Sequence, residues 1–372
     1  MQFKDIIGQE EIKKRLIQSK KENRISHAQL WLGDPGYGGL PLALANIQYI
    51  LCEQPTENDS CGQCSSCQKV QKLQHPDLHF SFPTVLAEAK TSDVLYREWR
   101  EIIQENAYFN LKNWIDKIDD KGRKPIIGTE ESQNILKKLR LKSFEGGFKV
   151  MLVWMAEEMN ETCANKLLKI LEEPPENTLF FLICENIDRM LPTIISRTQS
   201  LRIRQIDHTN LSAALIEKFG LHLTEADAMA HFAEGNWSTA QSLANHGALN
   251  NALRESFIEA FRAAYKKDVI GMMTWANRMA GLGKEEQKSF LRYGLHMFRQ
   301  SMLYNYTKNQ LVRLSEEEMK FLVNFSKFIT GNNLEGLSSL FSDSHYHIDR
   351  NANQKILFTD LIFQVMKLIH AH

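Results

Sequence analysis

The chain has 372 residues, and its 45 basic and 45 acidic residues cancel. That length implies two or three domains with ample core, and the balanced charge argues against a strongly basic nucleic-acid binder while leaving a local basic patch open. The polar start Met1-Gln2-Phe3-Lys4-Asp5 reads as no signal peptide, no apolar run approaches the ~18–20 residues of a membrane span, and the expected location is cytoplasmic.

Residues 3–25 read as a polar helical entry segment. Gln29-Leu30-Trp31-Leu32 reads as a short buried strand, and Pro41 to Leu51 as an apolar helix with its proline in the first turn. Between them lies Gly33-Asp34-Pro35-Gly36-Tyr37-Gly38-Gly39-Leu40. Strand, glycine loop and helix in this order are the frame of a P-loop, G-x-x-x-x-G-K-[ST], although any glycine-rich turn before a helix gives a similar string. In a working P-loop the backbone amides cradle phosphates, the lysine reaches the terminal phosphates and the hydroxyl binds Mg²⁺. Here Gly39 stands at the lysine position and Leu40 at the hydroxyl position. Gly33, Gly36 and Gly38 can still present amides to an anion, so the loop is expected to hold nucleotide weakly or not at all.

Cysteines follow at Cys52-x8-Cys61-x2-Cys64-x2-Cys67. Four soft ligands in so short a polar stretch suit tetrahedral Zn²⁺, and a full set of thiolates leaves no open position, so the expected site is structural. An iron–sulfur cluster uses similar sets of four cysteines, and unligated thiols remain open. Cys163 and Cys184, in a helix and a strand, read as core.

Leu78 to Pro83 reads as a strand. Trp99, Ile102, Ile103, Phe109, Trp114 and Ile118 suggest amphipathic helix broken near Asn110, packed on the domain surface. A helix from Thr129 to Lys142, a strand over Lys149–Trp154, a helix over roughly 161–172 and a strand over Thr178–Cys184 complete an alternation that argues a parallel α/β sheet. After about residue 207 the pattern is all helix, with a boundary near 246–250. His75 and His79 beside Asp77 form a possible metal pair, but the expectation is none. Glu157-Glu158 and Glu172-Glu173 read as helix-surface charges.

Taken together, the glycine loop, the four-cysteine insert after its helix, and Leu167-Leu168-Lys169-Ile170-Leu171-Glu172-Glu173-Pro174-Pro175 resemble the bacterial DNA polymerase III clamp loader, an AAA+ assembly. Phe3 to Gln9, Arg24 to Ala28 and Leu191 to Thr198 are similar to the same family, as are Asn351-Ala352-Asn353 and the apolar helix that follows. The resemblance spans nearly the whole chain apart from about 86–125. It implies a RecA-like AAA+ α/β domain over 1–203, with a zinc module at 52–67 and an insertion at about 86–125. A helical lid over 204–247 and a helical collar over 248–372 follow. It implies gamma/tau ATPase subunits, a delta subunit, the sliding clamp and primed DNA as partners.

The family contains ATP-hydrolysing motor subunits and a non-hydrolysing partner, and the departures favour the second. By the resemblance, the carboxylates that would hold Mg²⁺ fall on Trp154 and Met155. The lid arginine falls on Ser238 of Gly235-Asn236-Trp237-Ser238-Thr239-Ala240. No intrinsic ATPase is therefore expected. Arg197, in the counterpart of the family's S-R-C motif, is implied to act in trans as an arginine finger on a neighbour's ATP. Without the resemblance, an arginine that pairs locally is the simpler reading. The alternatives are an active gamma/tau-type ATPase and a zinc-containing nucleic-acid-binding module.

Overall fold

The computed structural model describes residues 1–245, 247–308, 311–312, 314 and 316–370. By internal contacts these form two compact units, one of Met1–Ala214 with Glu234–Thr239 and one of Leu215–Ala233 with Ala240–His372.

The first unit is built on a five-stranded sheet of β1 (Ala28–Leu32), β2 (Leu78–Ser81), β3 (Lys149–Trp154), β4 (Thr178–Cys184) and β5 (Gln199–Arg202). The spatial order is β2-β3-β4-β1-β5 and every pairing is parallel. The near-continuous apolar runs of β3 and β4 are explained by burial on both faces. Alternation sorts them. Trp31, Leu152, Trp154, Phe181 and Ile183 enter one core, whereas Leu30, Met151, Val153, Phe180 and Leu182 enter the other.

The helices of this unit are α1 (Glu10–Lys21), α2 (Gly39–Leu51), α3 (Ser65–Gln71), α4 (Tyr96–Glu105), α5 (Leu111–Ile118), α6 (Thr129–Arg140), α7 (Glu161–Glu172) and α8 (Pro192–Ile195), with α9 (His208–Phe219) leading out of it. The α/β frame expected for an AAA+ domain is present. The break near Asn110 is real, because the Asn110 side chain caps α5 by accepting from Asn113 N–H. As expected of amphipathic helices packed on a domain, α4 and α5 turn one face inward and leave Arg97, Lys112 and Asp116 exposed. Trp99 and Trp114 are fully buried among core side chains.

The second unit is helical: α10 (Leu223–Ala233), α11 (Trp237–Asn245, whose first turn belongs to the first unit), α12 (Gly247–Lys266), α13 (Val269–Ala280), α14 (Lys284–Thr307), α15 (Glu316–Phe325), α16 (Gly331–Asp349) and α17 (Gln354–His370). Phe257, Trp275, Phe290, Phe341 and Phe358 lie at its core. The boundary expected near 246–250 includes His246, which lies outside the described residues, and α12 starts at Gly247. No helix of the described residues is long and apolar enough to cross a membrane.

Trp99 stacks on Phe82 at 4.3 Å between ring centroids and meets Trp114, Phe109 and Trp154 at 5.5, 5.5 and 5.3 Å. Trp99→Ala is expected to destabilise the first unit by roughly 3–5 kcal/mol, the usual cost of emptying a buried aromatic site. Urea unfolding followed by far-UV circular dichroism reads it, and a loss below about 1 kcal/mol would show that the aromatic cluster is not an integral part of that core.

Candidate functional site

In an open parallel sheet, ligands gather at the carboxyl ends of the strands, where the strand order reverses. Here that point is the end of β1, flanked by β4 and β5. The chain leaves β1 into the glycine loop and enters α2 at Gly39, with Gly36 and Gly38 at φ of 79° and 91°. Those left-handed conformations suit glycine, which lacks a Cβ. Gly33 is also constrained, since a Cβ there would lie 2.8 Å from Ile203 Cβ.

The loop carbonyls are bound by protein donors. Asn236 Nδ2 donates to Pro35 O at 2.7 Å, Trp237 N to Gly36 O at 3.0 Å, and Gln9 Nε2 to Tyr37 O at 3.1 Å. The ring of Tyr108 lies against Gly38, close enough that a Cβ at Gly38 would sit 3.0 Å from Tyr108 Cε1. Ser238 donates its hydroxyl to Tyr108 O.

Trp154 and Met155 close β3. Both are buried, and Trp154 packs on Phe109 at 4.8 Å between centroids. Neither side chain can ligate a hard cation or polarise water. The carboxylates Glu157 and Glu158, just beyond, are buried, which corrects the reading of them as surface charges. Glu157 Oε1 accepts from Glu185 N at 2.8 Å and Asn186 N at 3.0 Å, and Glu158 pairs with Arg189 at 2.6 Å. A bent segment after β3, with Met155 in the left-handed region, turns them inward.

Arg197 follows α8. Its Nε donates to Glu172 Oε1 at 2.7 Å, and Nη1 donates to Thr193 O at 2.9 Å. Glu172 and Glu173 are exposed helix-end charges, as read from the sequence, and Glu172 is the arginine's partner. The pair is partly exposed, with side-chain exposures of 29% for Arg197 and 49% for Glu172, so its net stabilisation is of the order of 0–1 kcal/mol.

Cys52, Cys61, Cys64 and Cys67 bring their sulfurs within 4.8 Å of one another. The Cys52–Cys61, Cys61–Cys67 and Cys52–Cys64 sulfur separations are 3.5, 3.9 and 4.0 Å. A tetrahedron of thiolates at the zinc distance of ~2.3 Å has edges of about 3.8 Å, so the set fits the ion. Amides point at the sulfurs. Cys61 Sγ accepts from Gln63 N at 3.4 Å and Cys64 N at 3.3 Å, and these donors pull the Cys61 thiol down to about 6, while burial pushes Cys52 up. Gly62 supplies the turn at φ 72°.

The remaining candidates are structural. His75 bonds Glu145 at 3.0 Å, and the Asp77 carboxylate accepts from Phe144 N at 2.7 Å and Glu145 N at 2.8 Å. Cys163 and Cys184 are fully buried.

Residues 8–207 match the family model described as DNA polymerase III, delta subunit. The chain belongs to that family. Among curated proteins it is similar to DNA polymerase III subunit delta' of Escherichia coli, 32% identical over 183 residues that cover 49% of this chain and 44% of that protein. It is similar to the delta' subunit of Bacillus subtilis at 27% over 210 residues, covering 56% and 52%. It is also similar to subunit tau/gamma of Haemophilus influenzae at 26% over 213 residues, covering 57% and 25%. The chain thus spans about half or less of the length of these relatives. Within the delta-subunit family match lie the five-stranded parallel sheet, the glycine loop, the cysteine cluster and Arg197.

Sequence reading did not place Tyr108 at the glycine loop. It lies 70 positions from Gly38 in a segment without P-loop character, and only the fold joins them.

Burial, with the charges of Glu157, Asp34 and Glu158, pushes the Glu185 carboxyl up to about 8. The native chain then holds a proton that the unfolded chain releases near pH 4.3, so this group's stabilisation is full below that value and is lost as pH rises toward 8. The urea midpoint is expected to fall between pH 5 and 8, and Glu185→Gln to flatten the fall. An unchanged slope in the variant would contradict this assignment.

Proposed function

We propose that the chain is the non-hydrolysing, delta-prime-type stator of a DNA polymerase III clamp loader. It stands beside gamma/tau ATPase subunits and a delta subunit and offers Arg197 to ATP held by a neighbour. The assembly opens the sliding clamp and places it on primed DNA during replication. The reading keeps the division into an AAA+ domain over 1–203, a lid over 204–247 and a collar over 248–372.

One observation carries it. The positions that would handle phosphate, Mg²⁺ and water are Gly39, Leu40, Trp154, Met155 and Ser238. None offers a cationic side chain or a carboxylate, and Trp154, Met155 and Leu40 are buried in apolar core. A single lost group leaves a crippled motor; loss of every part supports a subunit that has no motor role of its own. The similarity to tau/gamma does not favour an active ATPase, because none of those groups is present to act.

The pairing of Arg197 with Glu172 is compatible with a finger. An exposed ion pair worth at most about 1 kcal/mol is readily exchanged for a desolvated phosphate, and a bidentate guanidinium–phosphate contact is the stronger of the two. In this reading Glu172 holds the guanidinium until a neighbour's γ-phosphate replaces it. Arg197 then stabilises charge developing on the transferred phosphoryl group, an effect of roughly 10³–10⁵ in rate for arginine fingers of GTPases.

Cys52, Cys61, Cys64 and Cys67 are proposed to hold a structural Zn²⁺. The ion would cross-link a core-poor loop and do no chemistry. Protein purified without chelator is expected to carry about one zinc per chain by metal analysis. Cys64→Ser should lower that content and speed proteolysis within 52–67, with the main sheet intact. A fully folded, metal-free wild-type protein would contradict the assignment.

Arg197→Ala is expected to leave folding and assembly intact and to slow DNA-stimulated ATP hydrolysis by the reconstituted complex about tenfold or more at the site it serves, with clamp loading reduced further. Equal rates in complexes of equal assembly would make Arg197 a local partner of Glu172 and nothing more.

A further inference from the structure

The segment between β2 and α6 has no role in the function proposed above, yet it meets the glycine loop. Tyr108 is 7% exposed and joins three separate stretches of chain. Its hydroxyl accepts from Ile7 N at 3.1 Å, its ring lies on Gly38, and its carbonyl accepts from the Ser238 hydroxyl. Its ring also meets Trp237 at 6.3 Å between centroids. The next residue, Phe109, packs on Trp154 and Trp99. The Asn236 side chain fills the space beside Gly36.

We propose that residues 106–110 are a built-in occupant of the nucleotide site, with Tyr108 covering the glycine loop and Phe109 covering the end of β3. A nucleotide whose phosphates met the loop amides would have to lie over Gly36–Leu40 and reach toward the end of β3. Protein side chains fill both places. Segment 234–239 is tied to the loop through Asn236 Nδ2 and Trp237 N, and to the covering segment through Ser238 Oγ on Tyr108 O, all of them protein donors. Its attachment therefore needs no ligand. The missing lysine and hydroxyl remove affinity for phosphate; the segment removes the space.

This inference rests on reading the glycine loop as a nucleotide site. Hydrogen exchange on the full chain reads the tether without any ligand. Tyr108→Ala should speed exchange of the amides at 36–40 and 236–239 by about tenfold or more, with β3 amides 150–153 unchanged as the control on folding. Tyr108→Phe, which loses only the bond from Ile7 N, should have a smaller effect. Unchanged exchange at both segments in Tyr108→Ala would overturn the proposal.

Titration with fluorescently labelled ATP and Mg²⁺ reads the occupied space. The wild type and a Gly39→Lys/Leu40→Thr variant should show no saturable binding at millimolar nucleotide, and adding Tyr108→Ala to that variant should create binding at least tenfold tighter. Binding by Gly39→Lys/Leu40→Thr alone as tight as with Tyr108→Ala would overturn the inference and leave the stator reading standing. Absence of binding in the triple variant would also overturn it. Binding and turnover by the wild type would overturn both.

Discussion

The packing of Trp154 against Trp99 and Phe109 is the contact on which the functional account depends. Trp154 ends β3, the strand between β2 and β4, and its indole points into the core shared with α2, α4 and α5. A carboxylate at that position would face the same aromatic wall, and burying an unpaired charge there costs several kcal/mol. The apolar residue and the aromatic segment therefore belong together: each needs the other to bury its surface. With that packing in place, Phe109 lies on Trp154 and its neighbour Tyr108 lies against Gly38 of the glycine loop.

The glycine loop keeps a P-loop-like backbone. Gly36 and Gly38 still take left-handed conformations, and the strand–loop–helix order is intact. What changed is the set of partners. The loop carbonyls accept from Gln9, Asn236 and Trp237, which hold the loop in shape. Arg197 lies apart from this centre, paired with the exposed end of α7 through Glu172. A partly exposed ion pair of this kind is a weak hold, which the proposed role of Arg197 requires.

Much of the frame was legible in the sequence because it follows from periodicity. The apolar runs of β3 and β4 and the helix at 161–172 fall where the pattern places them, since burial on both faces demands uninterrupted apolar residues. The cysteine cluster was legible from spacing alone. The strand β5 was not. Gln199-Ser200-Leu201-Arg202 is a short edge strand with only Leu201 buried, so it carries almost no hydrophobic signal. The burial of Glu157 and Glu158 was also hidden. Acidic residues beside a helix usually face water, and only the left-handed turn at Met155 sends these inward to Glu185 N, Asn186 N and Arg189. The meeting of Tyr108 with Gly38 depends on tertiary packing that no local pattern encodes.

The most direct measurement is a structure of this chain assembled with the proposed gamma/tau partner in the presence of Mg²⁺ and a slowly hydrolysed ATP analogue. The account predicts analogue on the partner alone, Tyr108 still against Gly38, and Arg197 released from Glu172 and directed at the partner's γ-phosphate. Analogue seated over Gly33–Leu40 of this chain, or Arg197 still on Glu172 beside an analogue-filled partner, would contradict it.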